Sequence, residues 1–233
     1  MIVGIHQPNY APWLGYFRKI ALSDHFIFLD DAAFSKGSVT NRVRILEKGA
    51  PAWLTVPAKP AMGTPIKDIS PSQEDWPQRH LSRLANVYRQ APAFQEVWPT
   101  LETLYTALDA GTLSGANRAL IEAICRPIGI DTQFHLASSF ANEADNKGDD
   151  RLIDLIARIP GADTYLSGQG GRKYQDEGKF EAAGLSLLYN DYTPKPYPQS
   201  AAEFVPGLSI LDALFNVGWS GIADLLRDGT EPS

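Results

Sequence analysis

His6, Gln7 and Asn9 follow a short apolar run made by Ile2, Val3 and Ile5. A histidine titrates near neutrality, so His6 can take a proton from an attacking nucleophile or contact a phosphate. Gln7 and Asn9 are neutral donors and acceptors that can orient a substrate amide or sugar. Tyr10, Trp13 and Tyr16 add aromatic faces suited to a base or a sugar ring, and equally suited to a core. A second apolar run, Phe26 to Leu29, ends on Asp30 and Asp31. These carboxylates could bind a metal, steer a cationic amine or orient His6. Adjacent strand residues point to opposite faces, so at most one serves, and Asp30 is the candidate.

A second cluster sits far along the chain. Ser167-Gly168-Gln169-Gly170-Gly171 reads as a glycine-rich turn from a strand into a helix over about 172–183. Such a turn lets a ligand approach the main chain and can cradle an anion. Arg172 and Lys173 add charge, and Tyr174 adds a hydroxyl. Asn41 and Arg42 form a third group, able to clamp phosphate or carboxylate because guanidinium offers a bidentate fork. The candidate catalytic residues are therefore His6, Asp30 and Tyr174. The candidate binding residues are Gln7, Asn9, Tyr10, Trp13, Gly15, Tyr16, Asn41, Arg42, Ser167, Gly168, Gly170, Gly171 and Arg172. Each has a plainer alternative: loop hydrogen bonding, core packing or a surface ion pair.

The elements that would position them follow from periodicity. Ile2–Ile5, a helix through Trp13, Tyr16, Phe17 and Ile20, and Phe26–Leu29 make a strand–helix–strand unit. Pro8 and Pro12 end the first strand and stiffen its loop. Strands near 163–166 and 185–189 flank the glycine-rich turn. If both units share one parallel sheet, the His6 loop and the Ser167 loop lie at its carboxyl edge, where such sheets bind ligands. Runs at 43–46 and 53–56 read as a hairpin. Residues 73–126 hold three helices, the third capped at Ser114, and form a helical insertion or cap. Ile66 to Ile69 reads as a short strand, Leu208–Asn216 and Trp219–Leu226 as two helices, and 228–233 as a frayed tail. The expected fold is a single α/β domain over 1–233, three-layer and Rossmann-like, with a mostly parallel sheet, the helical insertion and a small β-hairpin.

Composition excludes several classes. The 233 residues carry 21 basic and 27 acidic side chains, a net charge of −6, which disfavours a protein that coats duplex nucleic acid. No run is long and apolar enough to cross a bilayer, so membrane insertion is not expected. The N-terminus lacks the pattern of a secretory signal. The single Cys125 rules out an internal disulfide and fits a reducing, cytoplasmic setting, and it lies in an apolar helical pattern that suits a packed thiol. There is no CxxC and no HExxH, so no metal site is expected.

Two resemblances add to this. The strand–loop–helix opening is similar to that of the HIGH-motif nucleotidyltransferases, but Trp13-x-Gly15-Tyr16 stands where they carry His-x-Gly-His. That likeness implies a fold rather than adenylyl transfer. Over most of its length the sequence resembles the WbqC-like protein family. The likeness rests on His6-Gln7-Pro8-Asn9-Tyr10 with Pro12-Trp13-Leu14-Gly15-Tyr16-Phe17, on Phe28-Leu29-Asp30-Asp31 and on Asn41-Arg42. It continues through Trp53-Leu54-Thr55-Val56-Pro57, Tyr165-Leu166-Ser167-Gly168 with Gly171 and Tyr174, and Ser209-Ile210-Leu211-Asp212 with Phe215-Asn216 and Gly218. The resemblance implies a bacterial cytosolic protein in surface polysaccharide (O-antigen, lipopolysaccharide) synthesis. It implies a transferase moving a glycyl or other aminoacyl or acyl group onto an amino sugar. The substrates would then be a nucleotide sugar and an aminoacyl donor such as a charged tRNA, with a nucleotide or phosphate-containing group among them. The alternatives are an ATP-using nucleotidyltransferase with a degenerate motif and a non-catalytic binding protein of the same pathway.

Overall fold

A computed structural model of the chain describes residues 1–35, 37–108, 111–142 and 146–227. The tail at 228–233, expected to fray, lies outside the described residues. Five strands form one wholly parallel sheet: β1 (Ile2–His6), β2 (His25–Phe28), β5 (Gln133–Leu136), β6 (Thr164–Gly168) and β7 (Ser186–Asn190). Their order is β5-β2-β1-β6-β7. β1 is the centre, pairing His6 with Phe28 on one side and Gly4 with Leu166 on the other. The chain leaves β1 toward β2 and later returns to its opposite flank as β6, so the crossover direction reverses between β1 and β6. The sheet is covered on both faces, which is why its strands read as continuous apolar runs.

Two cores make the three layers. On one face Phe26 and Phe28 pack with α1 (Leu14–Ala21), the helices α2 (Trp76–Tyr88), α3 (Phe94–Ala107) and α4 (Leu113–Cys125), and α7 (Ile210–Arg227). The hairpin β3 (Arg42–Glu47) with β4 (Ala50–Thr55) joins this layer through Val43, Ile45 and Leu54. On the other face Val3, Ile5, Ile27 and Tyr165 pack against α5 (Gly148–Ala157) and α6 (Glu177–Ala182) through Leu155, Ile156 and Phe180. Cys125 is fully packed, and burial pushes its thiol up.

Several local expectations are corrected. Ile66–Asp68 is a 3-10 turn, not a strand. α4 is capped by Thr112, whose side chain accepts from the Gly115 N–H, two residues before the expected Ser114. The segment after β6 is a 3-10 turn, Gln169–Lys173, and α6 starts only at Glu177, capped by Asp176. The strand runs on to Gly168 because β7 pairs it there with Asn190. The two late helices, by contrast, are present as expected: Ile210–Arg227 is broken between them at Gly218, where φ is 71° and ψ is −178°. That backbone region is essentially reserved for glycine. A Cβ there would also lie 2.5 Å from Glu96 Oε2, whose carboxylate accepts the Trp219 N–H. Gly218→Ala is therefore expected to cost about 2–3 kcal/mol, measured by denaturant unfolding. A loss below about 0.5 kcal/mol would show the kink to be unstrained.

Candidate active site

The loop after β1 is held by an unusual number of bonds. The Gln7 carbonyl accepts from the Tyr16 hydroxyl at 2.9 Å, and Asn117 Nδ2 donates to the Pro8 and Thr40 carbonyls. The Tyr10 N–H donates to the Val39 carbonyl. Ser209 Oγ donates to the Ala11 carbonyl, and the Ile210 N–H to that of Pro12. Ala11 is forced to φ 37°, a strained value for a residue with a Cβ. The proline-rich sequence thus has a physical purpose: it fixes the direction in which His6 leaves the sheet.

A cleft of about 940 Å³ opens at the carboxyl edge beside this loop. Ile5, His6 and Gln7 come from the end of β1, and Leu29, Asp31, Ala32 and Ala33 from the end of β2. Across from them stand Asn142, Asn146 and the N-terminal part of α5, with Lys147, Gly148, Asp149, Arg151 and Leu152. Tyr165, Tyr174 and Lys179 close the β6 side. The histidine loop and the segment after β6 therefore share one cleft, at the sheet's reversal point, the usual ligand position in open α/β sheets.

His6 is the best-defined group in it. Its ring stands edge-on to Tyr16 at 4.8 Å and to Trp13 at 6.1 Å. Nδ1 lies 3.2 Å from the Gln7 carbonyl. A carbonyl only accepts, so Nδ1 carries the proton and Nε2 keeps a lone pair. Burial, then the neighbouring Lys19 ammonium, push His6 down to about 3. The imidazole is thus neutral throughout the physiological range, with an unprotonated Nε2.

The cleft is lined by both signs of charge. Arg151 donates to Asp31 Oδ2 at 2.9 Å, to Asp154 Oδ2 at 3.0 Å and to the Ala137 carbonyl at 3.1 Å. Lys179 pairs with Asp150 at 2.8 Å, and Asp149 accepts the Asp176 N–H. Tyr165 is buried against Phe180, and burial raises its hydroxyl to about 12.

Of the residues picked from sequence, His6, Gln7 and Tyr174 line this cleft. Asp30 does not; its carboxylate accepts from the Ser138 N–H at 2.9 Å and the Ser138 hydroxyl at 2.6 Å, tying β2 to the turn after β5. Tyr16 lies beneath His6, wholly buried. Trp13 and Gly15 line a separate apolar pocket of about 60 Å³ at the start of α1, too small for a nucleotide. Asn9 is buried, and neither amide atom has a partner among the described residues. Asn41 Nδ2 donates to the Val56 carbonyl, and the Arg42 guanidinium lies 4.2 Å over the Trp53 ring on the hairpin. Arg172 pairs with Asp191 at 2.6 Å and stacks over Tyr189. Ser167 and Gly171 are buried, and a Cβ on Gly171 would lie 2.4 Å from Ser167 Oγ. Gly168 and Gly170 have no atom within 4 Å of a built Cβ, and none of these three glycines takes a positive φ. The turn therefore does not form the expected glycine cradle.

Tyr10 belongs to a buried chain of hydroxyls. His80 Nε2 is 3.1 Å from the Thr55 carbonyl and must carry the proton, so Nδ1 accepts from the Tyr10 hydroxyl at 2.6 Å. Tyr10 in turn accepts from the Tyr105 hydroxyl at 2.7 Å. Burial lowers His80 to about 4. With His6 it makes two histidines that fold only as neutral rings. The unfolded chain binds their protons below about pH 6.5, while the folded chain refuses them until about 3 to 4, so acid favours unfolding. Stability should fall as pH drops from about 6.5 to 4, by at most about 1.4 kcal/mol per pH unit for each ring. Asp212 works against this, because burial raises its carboxyl above the usual range. Urea unfolding at a series of pH values tests it. His80→Gln should flatten the slope, and an equal slope in that variant would remove His80 from the account.

Comparison with known proteins identifies the family. The model of the WbqC-like protein family matches residues 7–224. The uncharacterized protein Rv1507c of Mycobacterium tuberculosis is 36% identical over 219 residues, spanning 93% of this chain and 94% of its own. No solved structure matches at a significant level. With the family match running from the histidine loop through most of α7, the chain belongs to the WbqC-like protein family.

Proposed function

We propose that the chain is a transferase that joins an aminoacyl or acyl group to the amine of an amino sugar, with both substrates held in the β1–β6 cleft. The observation that carries the reading is His6: a neutral imidazole, one nitrogen pinned by Gln7, set in the cleft wall at the reversal point of the sheet. The acceptor amine nitrogen attacks the acyl carbon and forms the C–N bond. His6 Nε2 takes the amine proton and returns it to the leaving oxygen or sulfur as the acyl ester or thioester bond breaks. Asp149 suits an amine, while Lys179 and Lys147 suit a phosphate-bearing or carboxylate-bearing part of either substrate, with Asp31 and Arg151 paired to each other in the wall. The volume is in the range that holds small ligands. The resemblance to proteins of surface polysaccharide synthesis supports the choice of an amino sugar in a bacterial cytoplasm.

The test is mass spectrometry of the purified protein incubated with nucleotide-linked amino sugars and either glycyl-tRNA or an acyl thioester. An amide product is expected from one donor class. Pyrophosphate release from ATP without amide formation would instead favour nucleotidyl transfer. Tight retention of a sugar nucleotide with no product from any donor would favour a binding protein.

A further inference from the structure

Lys19 lies on α1 behind the cleft wall and is 3% exposed. Its ammonium donates to the Ile5 carbonyl at 2.6 Å, one residue before His6. It also stands 5.6 Å over the ring of Tyr165. Ile5, His6 and Tyr165 all line the cleft, so three of its wall residues touch or adjoin this one cation. No carboxylate forms an ion pair with Lys19 among the described residues, and burial is the force that acts on it. A buried ammonium ordinarily sits beside a carboxylate, because its desolvation is otherwise uncompensated. Here the carbonyl and the ring are dipoles and a quadrupole, not a counter-charge.

Among the described residues the surrounding elements supply none. On β1 the nearest titratable group is His6, which is neutral; on β6 it is Tyr165, also neutral. β7 brings Tyr189 and Asn190, the latter donating to the Gly15 carbonyl. On α7 the buried carboxylate is Asp212, already engaged by Tyr88, Tyr197 and Gln199. Across the cleft, Asp31 is taken by Arg151.

We infer that Lys19 is the buried counter-charge for an anionic group, phosphoryl or carboxylate, that seats against His6 and Tyr165. This rests on the reading of the cleft as the substrate site and names what part of a substrate the β1–β6 wall receives. Lys19 does not touch the anion; it acts through the wall as a positioning residue. Burial brings its ammonium down to about 7, so near neutrality the free protein holds Lys19 only partly charged. An anion in the cleft favours the charged form, and binding then takes up a proton. Affinity must fall as pH rises above about 7. His6 titrates far below this window, and Lys179, raised by Asp150, far above it.

The experiment is a titration of the full chain by amide NMR with sulfate, which mimics a phosphoryl group, and with acetate, which mimics a carboxylate. Neither probe titrates between about pH 6 and 9. The His6, Gly148 and Tyr165 amides should shift, with affinity falling up to about tenfold per pH unit above about 7. Lys19→Met should bind more weakly and show no such dependence. Response to sulfate alone assigns a phosphoryl group, and to acetate alone a carboxylate. Flat affinity in the wild type, an unchanged slope in Lys19→Met, or no shift of these amides overturns the inference. If the variant does not fold, the wild-type pH profile decides. Flat affinity together with His6-dependent amide formation would overturn the inference and leave the transferase reading standing.

Discussion

Replacing Arg151 with methionine is expected to destabilise the protein by about 3 kcal/mol, which for a domain of this size lowers the melting temperature by about 6–12 °C. The guanidinium is almost wholly buried, while its partners Asp31 and Asp154 are about a quarter exposed. Methionine fills most of the space but leaves Asp31 without its donor, Asp154 with only the longer contact to Arg158, and the Ala137 carbonyl with only the Phe140 N–H. Complete burial of the partners would raise the cost toward about 5 kcal/mol; their partial hydration moderates it. Arg151→Lys keeps the charge and loses the fork, so an intermediate loss is expected. Arg158→Met is the control: that side chain is 43% exposed and reaches Asp154 at 3.4 Å, so its loss should stay within about 0.5 kcal/mol. Thermal and urea unfolding read all three. Equal stabilities for the Arg151 and Arg158 variants would mean that the buried fork is not what fixes α5 against β2.

That fork also shows what could and could not be read from sequence. Buried parallel strands are continuous apolar runs, so Ile2–Ile5, Phe26–Leu29, Tyr165-Leu166 and Leu187–Tyr189 were plain, and with them the α/β class. His6 was legible because it stands where such a run meets Gln7 and Pro8. Arg151 was not. Its partner Asp31 is 120 residues away, and the helix carrying it looks locally like any amphipathic surface helix. Asp31 and Asp30 look alike in sequence; only the turn after β5, which places Ser138 against Asp30, decides which carboxylate faces the cleft. Lys19 is not singled out by the sequence, because nothing local reveals that its ammonium meets β1 and β6. The glycines after β6 misled for a related reason: strand pairing through Gly168 extends β6, a 3-10 turn follows, and the helix starts only at Glu177, so no helix N-terminus opens at the turn.

The largest effect on activity is expected at His6. His6→Ala should lower turnover by about 10²- to 10⁴-fold, the usual contribution of a positioned base. Alanine also opens a gap beside Tyr16 and Trp13, so a second substitution separates chemistry from packing. His6→Phe keeps a ring against both neighbours and removes both nitrogens, and should lose as much turnover while unfolding near the wild-type midpoint. The pH profile adds a readout that packing alone would not move. Because His6 is already held near 3, the kcat/KM of the wild type should show no inflection from this ring near the ordinary histidine value of about 6.5. A bound anion raises the ring's proton affinity, so the acid limb of kcat should lie above that of kcat/KM. Full turnover in His6→Phe would show that the acceptor amine arrives already deprotonated and that His6 only shapes the wall. A lone acid limb near 6.5, abolished by His6→Phe, would show instead that the free cleft is wetter than the packing of Tyr16 and Trp13 around the ring implies.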